Sequence, residues 1–336
     1  MKKIIRRLLR VIISLVVLLV AFYFLAIYEK PINQEALNEF LIGQPIIDVH
    51  LHISRGNPES KLYNQYDNDI DLAKLKFTQE EFDKHNIVLA LGGGPVPYAE
   101  MWAEAEDRIW AGPILPCNPQ SEYQHPCDNP FPDVEKLREL YKSGKFKSMG
   151  ELFQVFLGIP TNDPRFDPYW NLASEFDIPI GIHASVTPPP RPFSKDRDNA
   201  PNFDGDAADP ELLRPVLDKY PNLRIYLMHY GFLYSNEALA IMKDYDNIYV
   251  DISAISLKLP KILWEHNLRK LYKKGFGNRV MFGHDFTGTI RDNIEVIYGI
   301  DWLSEDQKRD ILYNNAAKFL NLSEQEINKH HESVKK

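Results

Sequence analysis

Eight short apolar runs, each ending in polar or glycine residues and separated from the next by an amphipathic stretch, constrain this chain more than any other feature. They read PIIDVH at 45–50, IVLALGGG at 87–94, IWAGPIL at 109–115, FKSMGEL at 146–152, IPIGIH at 178–183, RIYLMHYG at 224–231, NIYVDIS at 247–253 and RVMFGHD at 279–285. Between them, stretches such as DVEKLRELYKS, DPYWNLASEF, SNEALAIMKDY and PKILWEHNLRKLYKK carry helical periodicity, and SEDQKRDILYNNAAKFLNL closes the series. Asp133, Ser235 and Ser304 are placed as helix N-caps, and Pro210 suits a first helical turn. Strand and helix alternating eight times over about 290 residues predict an α/β fold, a (β/α)8 TIM barrel. An open doubly wound sheet is the alternative, but it more often carries a glycine fingerprint at its first strand-to-helix turn, and none is present. Gly92, Gly93 and Gly94 are followed by no phosphate-binding lysine and read as a tight turn.

The first thirty residues differ from the rest. Lys2, Lys3, Arg6, Arg7 and Arg10 precede an uncharged run at 11–28, long enough as a helix to cross most of a bilayer's hydrocarbon layer. A cleaved secretory signal would end at small residues spaced for cleavage, which Phe24, Leu25 and Ala26 fit poorly, so the run is read as an uncleaved transmembrane anchor. The expected organisation is a basic N-terminus and signal anchor at 1–30, a barrel at 31–325 and a polar tail at 326–336. Basic residues before the span keep that end cytoplasmic and place the barrel on the extracytoplasmic side. Removing their five positive charges from the net charge of −8 leaves the remainder near −13, which argues against nucleic acid as a partner. In an oxidising compartment Cys117 and Cys127, the chain's two cysteines, are expected to form a disulfide.

IIDVHLH at 46–52 places two imidazoles at i and i+2, and alternation puts His50 and His52 on one face of a strand. Alone, such a pair is as readily a packed or surface feature as the start of a metal site. In the barrel reading, however, Glu151, His183, His229 and Asp285 also end strands four, five, six and eight at the same rim. Barrel interiors are otherwise filled by branched apolar residues, so this convergence predicts a functional metal site. Asp251 ends strand seven and points inward or serves a loop hydrogen bond; His284 should be aimed away by alternation. Three connections, 53–77, 116–132 and 184–208, leave the same rim and exceed the usual length. The third carries TPPPRPF with Lys195 and Arg197, which either offers cations to an anionic small-molecule substrate or forms a solvated surface loop.

These segments resemble the amidohydrolase superfamily, most closely the branch that includes aminocarboxymuconate-semialdehyde decarboxylase and many uncharacterised hydrolases. The resemblance rests on IDVHLH, GEL, GIHA, LMHYG, FGHDF and the tail ILYNNAAKFLNL, and spans 45–320. It implies that His50, His52, His183 and Asp285 bind a divalent metal, usually zinc, and that His229 handles protons or ligates a second ion. Two positions depart from the pattern. Glu151 stands where binuclear relatives often carry a carboxylated lysine, and would bridge two ions or orient a ligand. His284 stands where a small residue commonly precedes the aspartate.

A metal in such a set supplies an activated water, and Asp285 could accept that water's proton. The reaction expected first is hydrolysis of an amide, ester or lactone by a membrane-anchored enzyme. Non-oxidative decarboxylation is the runner-up, and a membrane-tethered binding protein on the same barrel the reading from another class.

Overall fold

The computed structural model describes residues 12–16, 31–54, 72–117, 129–185, 200–231, 233–285 and 289–335. Eight parallel strands form, one at each apolar run: β1 Ile46–His52, β2 Ile87–Gly94, β3 Ile109–Pro113, β4 Met149–Leu152, β5 Ile180–His183, β6 Ile225–Met228, β7 Ile248–Asp251 and β8 Val280–Met281. They pair in sequence order as β1-β2-β3 and β4-β5-β6-β7-β8. A bridge between Leu115 and Leu152 joins the two sheets. On the other side Val49 N donates to Phe282 O and Asp285 N to His50 O, both at 3.0 Å, so the ring closes on β1 although β8 itself is only two residues long.

The helices between strands form where periodicity and capping coincide. Asp133 Oδ1 accepts from Lys136 N at 2.7 Å and starts the helix Val134–Lys142, while Ser304 and Gln307 cap each other's backbone reciprocally. Pro210 opens a short 3-10 turn, as its fixed φ allows. Ser235 does not act as an N-cap. Tyr234 is the boundary residue, and Ser235 Oγ reaches Asn267 Oδ1 instead. The final helical stretch is interrupted by a π turn at Asp310–Asn314, and the residues read as a polar tail form a further helix, Glu324–Ser333, started by a capping box between Ser323 and Glu326.

Ile47 and Val49 pack with Tyr226, Met228, Tyr249 and Met281 in a cluster floored by Tyr313, Phe319 and Leu320 of the C-terminal stretch. Tyr226 Oη donates to Val49 O at 2.8 Å, linking β6 to β1 directly across the barrel. Side chains of that size need space, and glycines provide it. A Cβ on Gly181 would lie 2.5 Å from Met228 Cε, and one on Gly93 would lie 1.7 Å from the Gly150 carbonyl oxygen. This corrects the tight-turn reading of Gly92, Gly93 and Gly94: they complete β2, where close approach of β4 at Gly93, and of Ile53 just past β1 at Gly92 and Gly94, excludes a side chain.

Several expectations fall outside the described residues. They include most of the apolar run at 11–28, of which residues 12–16 are helical with Ile12, Ile13, Leu15 and Val16 exposed, and the segment with Lys195 and Arg197. Among the described residues no helix is long and apolar enough to cross a membrane. Cys117 is disulfide-bonded; Cys127, the only other cysteine, is not among the described residues.

Candidate metal centre

His50 and His52 share a face of β1, their ring centroids 5.2 Å apart, and each directs Nε2 to within 3.2 Å of Glu151 Oε2. Asp285 Oδ1 closes the group, 2.8 Å from His52 Nε2 and 3.3 Å from His50 Nε2. One donor atom from each of these four residues lies within 4.8 Å of all the others. Glu151 reaches this point from β4 behind Gly150, whose φ of +116° and close approach to Gly181 suit glycine alone. Its second oxygen, Oε1, faces away from that group, hydrogen-bonded to His183 Nδ1 and 3.4 Å from His229 Nε2.

The hydrogen-bond partners assign the proton positions. His50 Nδ1 lies 3.0 Å from Asp251 Oδ2, an acceptor, so Nδ1 carries the proton and the Nε2 lone pair is presented to Glu151 and Asp285. His229 Nδ1 lies 3.3 Å from the Ser253 carbonyl oxygen, which fixes its proton in the same way and turns its lone pair towards Glu151 Oε1. Ser253 Oγ donates to Asp251 Oδ1 at 2.6 Å and lies 2.8 Å from His50 Nδ1 and 3.2 Å from His229 Nδ1, binding both imidazoles to one buried carboxylate. Imidazole lone pairs and carboxylate oxygens therefore face one another in a buried space, an arrangement that needs a cation or extra protons.

The electrostatics carry the same signature. Burial pulls the His50 pKa down, but Asp285, Glu151 and Asp251 outweigh it and hold the group well above its ordinary value. Burial raises the Glu151 pKa, yet His50 and His183 bring it well below the carboxylate range. Asp285 is likewise depressed against its burial, chiefly by His50 and the His52 hydrogen bond. Two carboxylates and two imidazoles, with the His50 imidazole held from behind by a further carboxylate, fit a divalent cation.

The centre is not sealed. The His52 side chain is 23% exposed and that of Asp285 13%, whereas those of His50, Glu151, His183 and His229 are buried. An aromatic wall stands beside His52: Phe153 stacks on its ring at 5.9 Å, Phe156 meets Phe153 edge-on at 5.1 Å, and Phe203 packs on Phe156 at 5.7 Å.

The six residues predicted from strand ends do converge. His50, His52, Glu151 and Asp285 form the four-donor group, and Glu151 also groups with His183 and His229 in an adjoining one, His229 Nδ1 lying 4.0 Å from Asp285 Oδ2. His229 lies just beyond β6 with φ +59°, and Asp285 four residues beyond β8 with φ +51°. Asp251 does both things foreseen for it, pointing Oδ2 at His50 while Oδ1 accepts from His229 N and Ser253 N. His284 is turned to Asp48, away from the four-donor group. Sequence reasoning missed Ser253 and Phe153. Ser253 was reachable by the i, i+2 argument applied to Asp251, whereas nothing in the sequence marked Phe153.

The family model described as Amidohydrolase matches residues 47–322. Comparison with curated proteins gives no match. Among solved structures, an uncharacterized TIM-barrel protein from Bordetella bronchiseptica is similar at a TM-score of 0.57 and 15% identity, covering 82% of this chain and 98% of that one. A 5-carboxyvanillate decarboxylase from Novosphingobium aromaticivorans, complexed with manganese and 4-hydroxy-3-methoxy-5-nitrobenzoic acid, gives 0.53 and 16% over 83% and 97%. A probable 2-pyrone-4,6-dicarboxylic acid hydrolase from Acinetobacter baumannii with citric acid bound gives 0.52 and 13% over 82% and 99%. At these identities the likeness is one of fold.

Proposed function

The chain belongs to the amidohydrolase family, and on that premise we propose that it is a divalent-metal-dependent enzyme that decarboxylates a small aromatic carboxylic acid without a redox step. The observation that carries this reading is the pairing of the four-donor group with the Phe153, Phe156 and Phe203 wall beside its more exposed edge. An aromatic substrate would find aromatic partners along this wall, and a divalent ion would balance the two anionic ligands. The manganese-bound decarboxylase of the same fold adds support.

His50, His52, Glu151 and Asp285 would hold the ion, with His183 and His229 beside the other oxygen of Glu151. When bound, the ion supplies positive charge to a substrate oxygen and acidifies water. In this reading Asp285, ionised at rest and at the exposed edge, takes a proton from solvent and passes it to the ring carbon, where the new C–H bond forms from a ring π pair. The bond from that carbon to the carboxylate then breaks, its electron pair restores the ring, and carbon dioxide leaves. Zinc is not retained as the specific expectation, because imidazole and carboxylate donors accommodate zinc and manganese alike.

Hydrolysis of a lactone or ester is the second reading. It is favoured by solvent access at His52 and Asp285, where the carboxylate takes a proton from water instead of giving one to carbon. The two separate in one assay. Protein loaded with manganese or zinc is given hydroxy- and methoxy-substituted benzoates and, separately, lactones and esters. Carbon dioxide release is the expected result; turnover of a lactone or ester alone moves the assignment to hydrolysis, and no bound ion with no turnover sinks both.

Anchoring through the run at 11–28, with the barrel on the extracytoplasmic side, rests on the sequence. A reporter fused after Lys336 that is active only in the cytoplasm overturns it.

A further inference from the structure

Asp48 is fully buried, and both of its oxygens are used to join the two segments that carry the proposed ligands. Oδ1 accepts from His50 N at 3.0 Å, two residues along β1, and from His284 N at 3.2 Å, far away in sequence. Oδ2 is hydrogen-bonded to His284 Nδ1. His284 is itself buried and immediately precedes Asp285.

Asp285 needs such support. The ladder of β8 ends at Met281, so residues 282–285 are not held by regular pairing. Asp285 also takes a φ of +51°, a left-handed conformation that costs a residue with a Cβ free energy unless its surroundings fix it. The fixing bonds come from β1: Val49 N to Phe282 O, Asp285 N to His50 O, and the two contacts of Asp48 with His284. Close packing allows no slack, since a Cβ on Gly283 would lie 2.7 Å from His50 Cβ.

We infer that Asp48 and His284 are a positioning pair which registers the Asp285 segment against β1, and so sets the distance between the Asp285 carboxylate and the His50 and His52 imidazoles. The pair touches neither substrate nor ion and acts through the ligands. The inference rests on the metal centre proposed above. It gives the sequence departure at position 284 a role, because a small residue there keeps the backbone bond to Asp48 Oδ1 but has no side-chain nitrogen for Oδ2.

The test uses the full chain in detergent, with manganese as the probe. Asp48→Asn and His284→Ala are each expected to raise the manganese Kd by about 10- to 100-fold, the usual scale for a group that orients a ligand. The spectrum of bound manganese in electron paramagnetic resonance should also change. His284→Asn, whose amide nitrogen takes about the place of Nδ1, should recover most of the affinity and the wild-type spectrum, which general destabilisation would not produce. If Asp48→Asn does not fold, the contrast between His284→Ala and His284→Asn decides. Wild-type binding with unchanged affinity and spectrum in the variants overturns the pairing alone. Wild-type protein that takes up no ion overturns the centre and the pairing together.

Discussion

His50 Nδ1 sits 3.0 Å from Asp251 Oδ2, and this one hydrogen bond decides which nitrogen of the imidazole is left for an ion. With Nδ1 donating, Nε2 must be the lone pair facing Glu151 and Asp285. Replacing Asp251 by Asn puts an amide beside the imidazole and removes the charge that raises its basicity. Metal affinity should fall about 10- to 100-fold, while Ser253→Ala, which leaves the carboxylate in place, should cost less. Calorimetric titration of both variants checks this, and the reverse ranking would mean that the serine orients the ring.

The barrel was legible because its signal is repeated: eight apolar runs alternating with amphipathic stretches all became strands. The convergence of the strand-end residues followed from that register alone. Their division was not legible, because it depends on how Glu151 turns its two oxygens, and one carboxylate looks the same in sequence whichever neighbours it faces. Gly92, Gly93 and Gly94 misled for a related reason. A glycine run marks a turn when local conformation requires it, but here the demand comes from distant neighbours, Gly150 of β4 at Gly93 and Ile53 at Gly92 and Gly94, against which no side chain fits. Phe153 lies beyond the end of β4, where period-two alternation no longer says which way a side chain points.

That steric demand can be measured. Gly93→Ala would set its Cβ 1.7 Å from a backbone oxygen, which cannot move aside as a flexible side chain can. The expected cost is about 3 kcal/mol or more, at the upper end for overpacking. Gly275→Ala is the control. Its φ is +86° but nothing lies within 4 Å of the added atom, so only the backbone penalty of about 1 kcal/mol remains. Equal costs in urea unfolding would show that the β2 to β4 approach is looser than described.

Asp285 is assigned both a ligand and a proton-transfer role, and its amide separates them. Asp285→Asn keeps an oxygen for the ion but cannot exchange a proton, so activity should fall by roughly a hundredfold or more. His52→Ala removes a donor outright and should lower metal content and activity together. Removing the ion with a chelator should also lower the melting temperature by several degrees, since an ion at a hundred times its Kd adds about 2.7 kcal/mol. Full activity in Asp285→Asn would transfer the proton to another group, with His229 the first to examine.

A last prediction concerns a pair far from the centre whose pH dependence has a definite sign. Arg108 forks onto Glu106 with Nε to Oε1 and Nη2 to Oε2, both at 2.8 Å, and its backbone N adds a third bond to Oε1 at 3.1 Å. Glu106 ends the helix Val96–Ala105 and Arg108 directly precedes β3, so the pair fixes that turn. Partial burial pushes the Glu106 pKa up, but the hydrogen bonds from Arg108 outweigh it and leave the carboxyl below its ordinary value. A carboxylate depressed in the folded state stabilises above its unfolded pKa of about 4.3, and loses that contribution as pH falls through the folded value. Glu106→Gln should therefore cost about 1 kcal/mol near neutrality, reduced from the full worth of a charged hydrogen bond because the pair is partly exposed. The gap between variant and wild type should narrow steadily once the pH drops below about 4.3. Urea midpoints of both proteins, measured from about pH 7 to about pH 3, give the comparison. A gap that stays constant over that range would mean that Glu106 acts through its shape and not its charge.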